Sequence, residues 1–521
     1  MAGWRRIATL LAICATAVGF TAGASWAAPT KVAWTTCHSD LGPFQCGTVQ
    51  VPLDYDQPNG ATISLALVRL PASDPAHRIG SLFLNPGGPG GSGVDFALFA
   101  GPFLYNDSVR AHFDLVGFDP RGIGRSTALR CFGTPRQWGP YFTPFAFPST
   151  SAEELQWMNA DLYLDSSCAQ RGGRIADHMS TANVARDLDR LREAVGDEQL
   201  TYAGFSYGTM IGQTYANLFP GNVRALIIDG VLDPIAWTTG SGDASTVPFS
   251  TRLHSDIGAQ ATLQEFFRLC DGGTCAFGPD SAARFKALGD SVKAHPIVVT
   301  NPDGSSFELN YSILIGATLG AMFDSLSWED FAGTLADLEA AMAAPATARA
   351  AKLGARLQAY LGVPSYIAKR GFPHYSNQIE GFPAVACADS DNPDSYSAWS
   401  TAGAAADATG YFGRLWTWAS SICAAWPHGD SDRYSGPFDT STANPVLVIG
   451  NLFDPATRYE GAVTASTLLA NSRLLTVHAW GHTSVFRSQC ADEVAADYLV
   501  NLVLPPEDTV CEQDHVPFTT P

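Results

Sequence analysis

The stretch Leu200–Pro220 limits the possible folds more than any other. "LTYAG" is a short apolar run, "GFSYG" (Gly204–Gly208) follows it, and "YGTMIGQTYANLFP" has the composition of a buried helix. A strand that turns straight into a helix, with glycine two residues before and after a serine, makes a tight strained turn. The serine side chain projects from its tip, near the positive end of the helix. "RALIID" (Arg224–Asp229) then restarts a strand. The same alternation precedes it. "GSLFLN" (Gly80–Asn85) and "FDLVGFD" (Phe113–Asp119) read as strands, and "NVARDLDRLREAVG" reads as a helix. There Val184, Leu188, Leu191 and Val195 share one face and Gly196 supplies a stop. Continuous apolar strands alternating with helices predict an α/β fold: a mostly parallel sheet with helices on both faces.

The pattern changes between Ile235 and Ala443. "TLQEFFRLC", "WEDFAGTLADLEAAMAAP" and "ATARAAKLGARLQAYLG" read as Ala-rich helices, and "CADSDNPDSYSAWSTAGAAADATG" as a polar loop. "NPVLVIGN" (Asn444–Asn451) and "RLLTVHAW" restore the strand signature. Two strands are too few for a separate core. The expectation is one sheet domain in two parts, 28–235 and 444–521, interrupted by a large, mostly helical cap at 236–443.

The first 27 residues read as an export signal. Arg5 and Arg6 precede the apolar "IATLLAICATAVGF", and small residues at Ser25 and Ala27 set a cleavage point after Ala27. The apolar run is short for a membrane span, so a secreted protein, free or held at the cell wall, is expected, with no stable span after cleavage. Cleavage removes two arginines and no acid, taking the net charge from −19 to −21. An acidic surface excludes nucleic acid as a partner, since phosphate contact needs a basic face. Cysteine usage agrees with export. Of 11 cysteines, Cys14 lies in the signal and ten remain. Pairing of sequence neighbours is the simplest framework: Cys37–Cys46, Cys131–Cys168, Cys270–Cys275, Cys387–Cys423 and Cys490–Cys511. No CxxC pair occurs, so no structural zinc is expected.

Ligands of a parallel sheet sit at the carboxyl ends of its strands, and four loops there carry reactive candidates. Ser206 is the candidate nucleophile. "NPGGPGGSG" (Asn85–Gly93) follows a strand and can aim backbone N–H groups at a developing oxyanion; the donors expected are Gly88 and Tyr207. A phosphate loop is the competing reading, but the Lys-Ser/Thr it needs is missing. His482, in "HAWGHTSV", can take the serine proton and return it to a leaving group. His478 lies four residues earlier, which raises a metal pair; the strand context argues against one, and a buried, satisfied histidine is expected there. Asp454, in "GNLFDPAT", is the favoured acid, with Asp229 and Asp233 of "IIDGVLDP" as rivals. "FDPRGIGRS" (Phe118–Ser126) reads as a structural turn in which Asp119 pairs with Arg121. No metal or organic cofactor is required by this chemistry.

"NPGGPGGSG", "FDPRGIGRST", "DLDRLREAVG", "YAGFSYGTMIGQTYANLFP", "IIDGVLDP", "VLVIGNLFDPAT" and "GHTSV" together resemble the secreted actinobacterial tripeptidyl aminopeptidases, α/β-hydrolases related to proline iminopeptidases. "LCDGGTC" and "FPAVACADS" extend a looser likeness into the cap. The resemblance implies a serine exopeptidase releasing short peptides, tripeptides in the named relatives, from substrates with a free N-terminus. Its nucleophile, acid and base match Ser206, Asp454 and His482. The iminopeptidase loop "HGGPG" stands here as "PGGPG", with Pro86 in the histidine position. Relatives bind the substrate's amino group with acidic residues of the cap; Glu380 and Asp389 are the candidates here. Esterases share the family, so a secreted carboxylesterase or lipase-type hydrolase of small esters stays open.

Overall fold

A computed structural model describes residues 30–300, 306–343, 353, 356–357, 359–360 and 377–519. The export signal and the segment "ATARAAKLGARLQAYLG", apart from those few positions, lie outside the described residues. Ten strands form one sheet. In chain order they are β1 (Thr35–Thr36), β2 (Gln45–Pro52), β3 (Thr62–Leu70), β4 (Gly80–Asn85), β5 (Phe113–Phe118), β6 (Leu200–Phe205), β7 (Val223–Asp229), β10 (Val446–Phe453), β11 (Ser472–Trp480) and β12 (Val510–Glu512). The spatial order is β1-β2-β3-β5-β4-β6-β7-β10-β11-β12. From β5 through β12 every pairing is parallel; β1, β2 and β3 add an antiparallel edge.

The six apolar runs read from sequence are all strands. β4, β5 and β6 are buried at every position, as a strand covered on both faces must be. The antiparallel edge was not read from sequence. β2 alternates exposed and buried residues and carries Gly, Gln and Thr, so it lacks the continuous apolar signature.

The helices that matter for the site are α1 (Gly93–Phe99), α2 (Ser151–Arg171), α3 (Thr181–Val195), α4 (Gly208–Leu218), α5 (Ser255–Gly272), α6 (Gln378–Asp389), α7 (Tyr396–Ala406) and α8 (Gln489–Asn501). α3 and α4 bury Val184, Leu188, Leu191, Met210, Ile211 and Tyr215 against Phe83 and Tyr202 on one face of the sheet. α1 and α8 bury Val94, Leu98, Ala495 and Tyr498 against Leu84 and Phe205 on the other. Gly196 ends α3 with φ +91°, as its place in the sequence predicts.

The chain leaves the sheet after Asp229 and returns at Val446. The residues between them build most of a third core with Phe266 at its centre; Trp328, Phe331 and, from the C-terminal segment, Phe518 meet its ring edge-on at 5.4–5.7 Å. Two features there depart from the sequence reading. Ile297–Thr300 and Ser306–Leu309 (β8 and β9) form an antiparallel hairpin. The polar stretch after Cys387 contains α7, which Ser395 caps and whose Trp399 is fully buried with its N–H on Ser420. Trp399, Gly403 and Ala406 bury one face of a segment whose serines hid the periodicity.

The five disulfides join the neighbouring cysteines as expected. The expected Asp119–Arg121 pair does not form. Arg121 is fully buried and grips Asp187 of α3 through two nitrogens at 2.7 Å each. Asp119 instead accepts from Ser92, which caps α1, and from the Val94 and Arg125 amides. The tight turn sends the two side chains to opposite sides of the loop. His478 is satisfied but not buried: its side chain is 39% exposed and paired with Glu512 at 2.9 Å on the next strand. No helix among the described residues is long and apolar enough to cross a membrane.

Candidate active site

Ser206 stands between β6 and α4 with φ +56°, a left-handed conformation that costs a non-glycine residue about 1–2 kcal/mol. Its surroundings hold it there. Its N–H donates to the Asp229 carbonyl at 3.0 Å, and its own carbonyl accepts from the Thr209 amide and hydroxyl at 2.9 and 2.6 Å. The flanking glycines act as the sequence suggests. A Cβ on Gly204 would lie 2.3 Å from the Gly208 oxygen, and one on Gly208 would lie 2.6 Å from the Asn85 oxygen. Strand, turn and helix close on one another only without those atoms.

The glycine loop after β4 lies on this turn. A Cβ on Gly87 would come within 2.7 Å of the Tyr207 nitrogen. Among the described residues, no acceptor pairs with the N–H of Gly88 or of Tyr207. Two free amides beside a serine hydroxyl are what a developing oxyanion requires.

His482 lies on the loop after β11, and Asp454 on the loop after β10. The Asp454 carboxylate is 1% exposed and meets His482 Nδ1 at 2.9 and 3.0 Å. It also accepts from the Ala456 and Thr457 amides at 2.8 Å each, the Thr457 hydroxyl at 2.9 Å and the Thr483 amide at 3.2 Å. Burial would raise its pKa. The charge and hydrogen bond of His482, with the two loop amides, outweigh that and hold it below the usual carboxylate range. Thr457 also stands 3.2 Å from His482 Nδ1. From the insertion, the Phe323 carbonyl accepts the His482 N–H at 2.9 Å, and the Phe323 ring meets the imidazole edge-on.

Histidine and nucleophile abut one peptide unit. A Cβ on Gly230 would lie 3.3 Å from His482 Cε1, and Asp229, the residue before it, accepts the Ser206 amide. Neither rival acid reaches the imidazole. The Asp229 carboxylate takes the Ser484 amide and hydroxyl, and Asp233 caps the turn Pro234–Trp237.

The two cap acids sit on α6, which rests on the glycine loop. A Cβ on Gly90 would be 3.4 Å from the Gly381 carbonyl carbon, and one on Gly381 would be 3.4 Å from Gly90 Cα. Asn377, just before α6, ties that end to the core through Gly124, Gly122 and Leu129. Asp389 is committed inside the protein: it accepts from the Thr181 amide and hydroxyl and from the Trp237 indole, and Thr181 in turn contacts the Tyr207 hydroxyl. Burial pushes Asp389 up to about 6. Glu380 is fully buried and takes the Cys131 N–H at 3.3 Å.

Glu380 has company that sequence reasoning missed. Asp161 and Asp165 on α2 are also buried, at 4% and 5% exposure. Cys131 is bonded to Cys168, one turn beyond Asp165. The Tyr141 hydroxyl is pushed up by burial and by the charges of Asp161, Asp165 and Glu380 together, so the three acids converge. Asp161 accepts from Ser421. Neither oxygen of Asp165 has a hydrogen-bond partner among the described residues, and burial pushes its pKa up to about 7. The i, i+4 spacing of the two aspartates was the available signal, but it lies before the insertion, where the cap acids were sought.

Two groups among the described residues have metal-ligand spacing: Cys37, His38 and Cys46, whose thiols form a disulfide, and Asp54, His178 and Asp432. Neither includes Ser206, Asp454 or His482.

Comparison with known proteins identifies the family. Residues 80–250 match the alpha/beta hydrolase fold and residues 409–511 match the TAP-like proteins. Carboxylesterase B of Mycobacterium tuberculosis (strain ATCC 25618 / H37Rv) is 32% identical over 95% of this chain and 92% of its own length. Serine protease Hip1 of the same strain is 30% identical, covering 92% of this chain and 91% of its own. A tripeptidyl aminopeptidase of Streptomyces lividans is 28% identical, covering 96% and 90%. Likeness of this extent, joined to a strained serine turn, a glycine loop and a buried Asp–His pair, shows that the chain belongs to the TAP-like α/β-hydrolases and is a serine hydrolase.

Proposed function

We propose that the protein is a secreted serine exopeptidase that releases short peptides, tripeptides by analogy with the Streptomyces relative, from free N-termini. Ser206 attacks the scissile carbonyl while His482 takes its proton. Asp454 fixes the imidazole through Nδ1 and stabilises its charged form. The Gly88 and Tyr207 amides receive the oxyanion. His482 then gives its proton to the leaving amine, and water resolves the acyl-enzyme by the reverse route. Removing the acid's charge should be severe: Asp454→Asn is expected to lower kcat by about 10⁴-fold with KM little changed. Steady-state kinetics check this, and a loss under tenfold would return the acid's role to another residue.

The observation that carries the exopeptidase reading is Asp165, buried with both oxygens unpartnered beside Asp161 and Glu380. A buried carboxylate without a partner is costly, and a substrate ammonium is the partner an aminopeptidase supplies. α6 carries Glu380 one residue from the Gly381–Gly90 contact, so the helix that bears this acid packs directly on the glycine loop. Asp389 holds Thr181 and Tyr207 in place instead. The five disulfides support an oxidising destination.

The test compares a tripeptide anilide having a free amine, its N-acetyl form and a nitrophenyl ester. Acetylation is expected to lower kcat/KM roughly a hundredfold or more, the cost of leaving a buried charge unpaired. The Carboxylesterase B relative favours a second reading, hydrolysis of small esters. Ester turnover with no anilide cleavage would establish that reading and end the first.

A further inference from the structure

Asp229 closes β7 and is 1% exposed. Its main chain and side chain hold different parts of the site. The carbonyl accepts the Ser206 N–H at 3.0 Å. The carboxylate accepts the Ser484 N–H with both oxygens at 3.0 Å and the Ser484 hydroxyl at 2.8 Å. Ser484 lies two residues beyond His482. One residue thus spans the nucleophile turn and the histidine loop.

A neutral side chain could accept from Ser484 without the cost of burying a charge. Among the described residues, no lysine or arginine forms an ion pair with Asp229. The ionisable groups whose fields reach it are few. Asp454 and His482 lie on the neighbouring loops, Arg487 follows on the histidine loop, Asp492 is on α8, and the Tyr105 hydroxyl is buried on the same face. Of these, only His482 gains a positive charge as the serine proton moves.

We propose that Asp229 is a positioning residue that acts through His482. Its carboxylate fixes the histidine loop relative to the nucleophile turn and adds a second negative charge, behind Asp454, that favours the imidazolium. The inference rests on the reading of Ser206, Asp454 and His482 as the triad. The contacts to Ser484 need only an acceptor oxygen, but the field that favours the imidazolium needs the ionised carboxylate. Burial raises Asp229 to about 6, so it loses its charge as the pH falls through that value.

The experiment measures kcat, KM and the pH dependence of kcat/KM for the full-length enzyme, Asp229→Asn and Ser484→Ala, with thermal melts of each. Asp229→Asn keeps the shape and removes the charge. Its kcat is expected to fall roughly ten- to a hundredfold, the range for a small misplacement of a reacting group, with KM within about twofold of the wild type. Loss of the negative charge makes the imidazolium harder to form, so the acid limb of kcat/KM moves to lower pH. Ser484→Ala keeps the charge; it should lower kcat by a smaller factor and leave the limb in place. Unchanged kcat in Asp229→Asn would overturn the proposal. So would a loss of activity accompanied by a lowered melting temperature and an unmoved acid limb, the mark of a purely structural residue. Full turnover by Ser206→Ala would fail the triad reading by itself, whatever Asp229→Asn does.

Discussion

Ser206→Ala will lower kcat by about a millionfold on every substrate the wild type turns over, while the fold survives. The size follows from the role. Without the hydroxyl no acyl-enzyme forms, and only the oxyanion amides and substrate binding remain to favour direct attack by water. The fold survives because the turn does not depend on the hydroxyl. Its hydrogen bonds run through the Ser206 N–H and carbonyl, to Asp229 and Thr209, and alanine makes both. Glycine is the more telling substitution. It is equally inactive, yet it removes the penalty of φ +56° at a residue with a Cβ. Ser206→Gly should therefore match or exceed the wild type in stability, by about 1 kcal/mol at most. Active-site titration with a fluorophosphonate, together with chemical denaturation, checks both statements. A variant still labelled at the wild-type rate would remove Ser206 from the mechanism.

The second large effect belongs to Asp165. Asp165→Asn is expected to give a more stable protein and a poorer aminopeptidase. The folded-state pKa is about 7, above the unfolded value of about 3.9. The folded protein therefore holds this proton more tightly than the unfolded chain does. Stability from that source is present below about pH 4, declines as the pH rises toward 7, and stays low beyond it. A displacement of roughly three pH units corresponds to at most about 4 kcal/mol. Asparagine is neutral throughout, so the variant should melt several degrees higher at pH 8, with the difference vanishing near pH 4. Its kcat/KM for free-amine peptides should fall about tenfold or more, while that for acetylated peptides holds. Calorimetry at pH 5 and 8 and the paired substrates provide the readings. Equal melting temperatures at pH 8, or undiminished preference for the free amine, would remove Asp165 from the proposed subsite. Asp492, raised to about 7, and Asp229 and Asp389, raised to about 6, act in the same direction. Asp454 opposes them: its pKa is held low, so the stability it contributes is lost as the pH falls.

The parts of the fold legible in the sequence are those where one force dominates. Strands β4–β7 and β10 are buried on both faces, so their apolar runs announce them. β2 is half exposed and gives no comparable signal. Ser206 could be read because its turn needs glycine at Gly204 and Gly208, a local demand that leaves a local mark. Asp454 was favoured over Asp229 in the sequence because its strand precedes the histidine strand, but both end strands, and the contact with His482 Nδ1 is what geometry alone supplies. Asp165 was hidden for a similar reason. Its meaning comes from Glu380, more than 200 positions away in the chain, and nothing local distinguishes a buried aspartate on a helix from a solvated one.

The contact between Gly90 and Gly381 bears on how such an enzyme can diverge. With no side chain on either glycine, main chain lies against main chain, and a methyl group added to Gly381 would also strike Ile123 at 2.8 Å. α6 is thereby seated on the glycine loop that carries the Gly88 amide, and it cannot shift without disturbing that loop. New substrate preferences are therefore expected to arise away from this contact. Lineages that keep this glycine pair should vary in what they cut while keeping how they cut it.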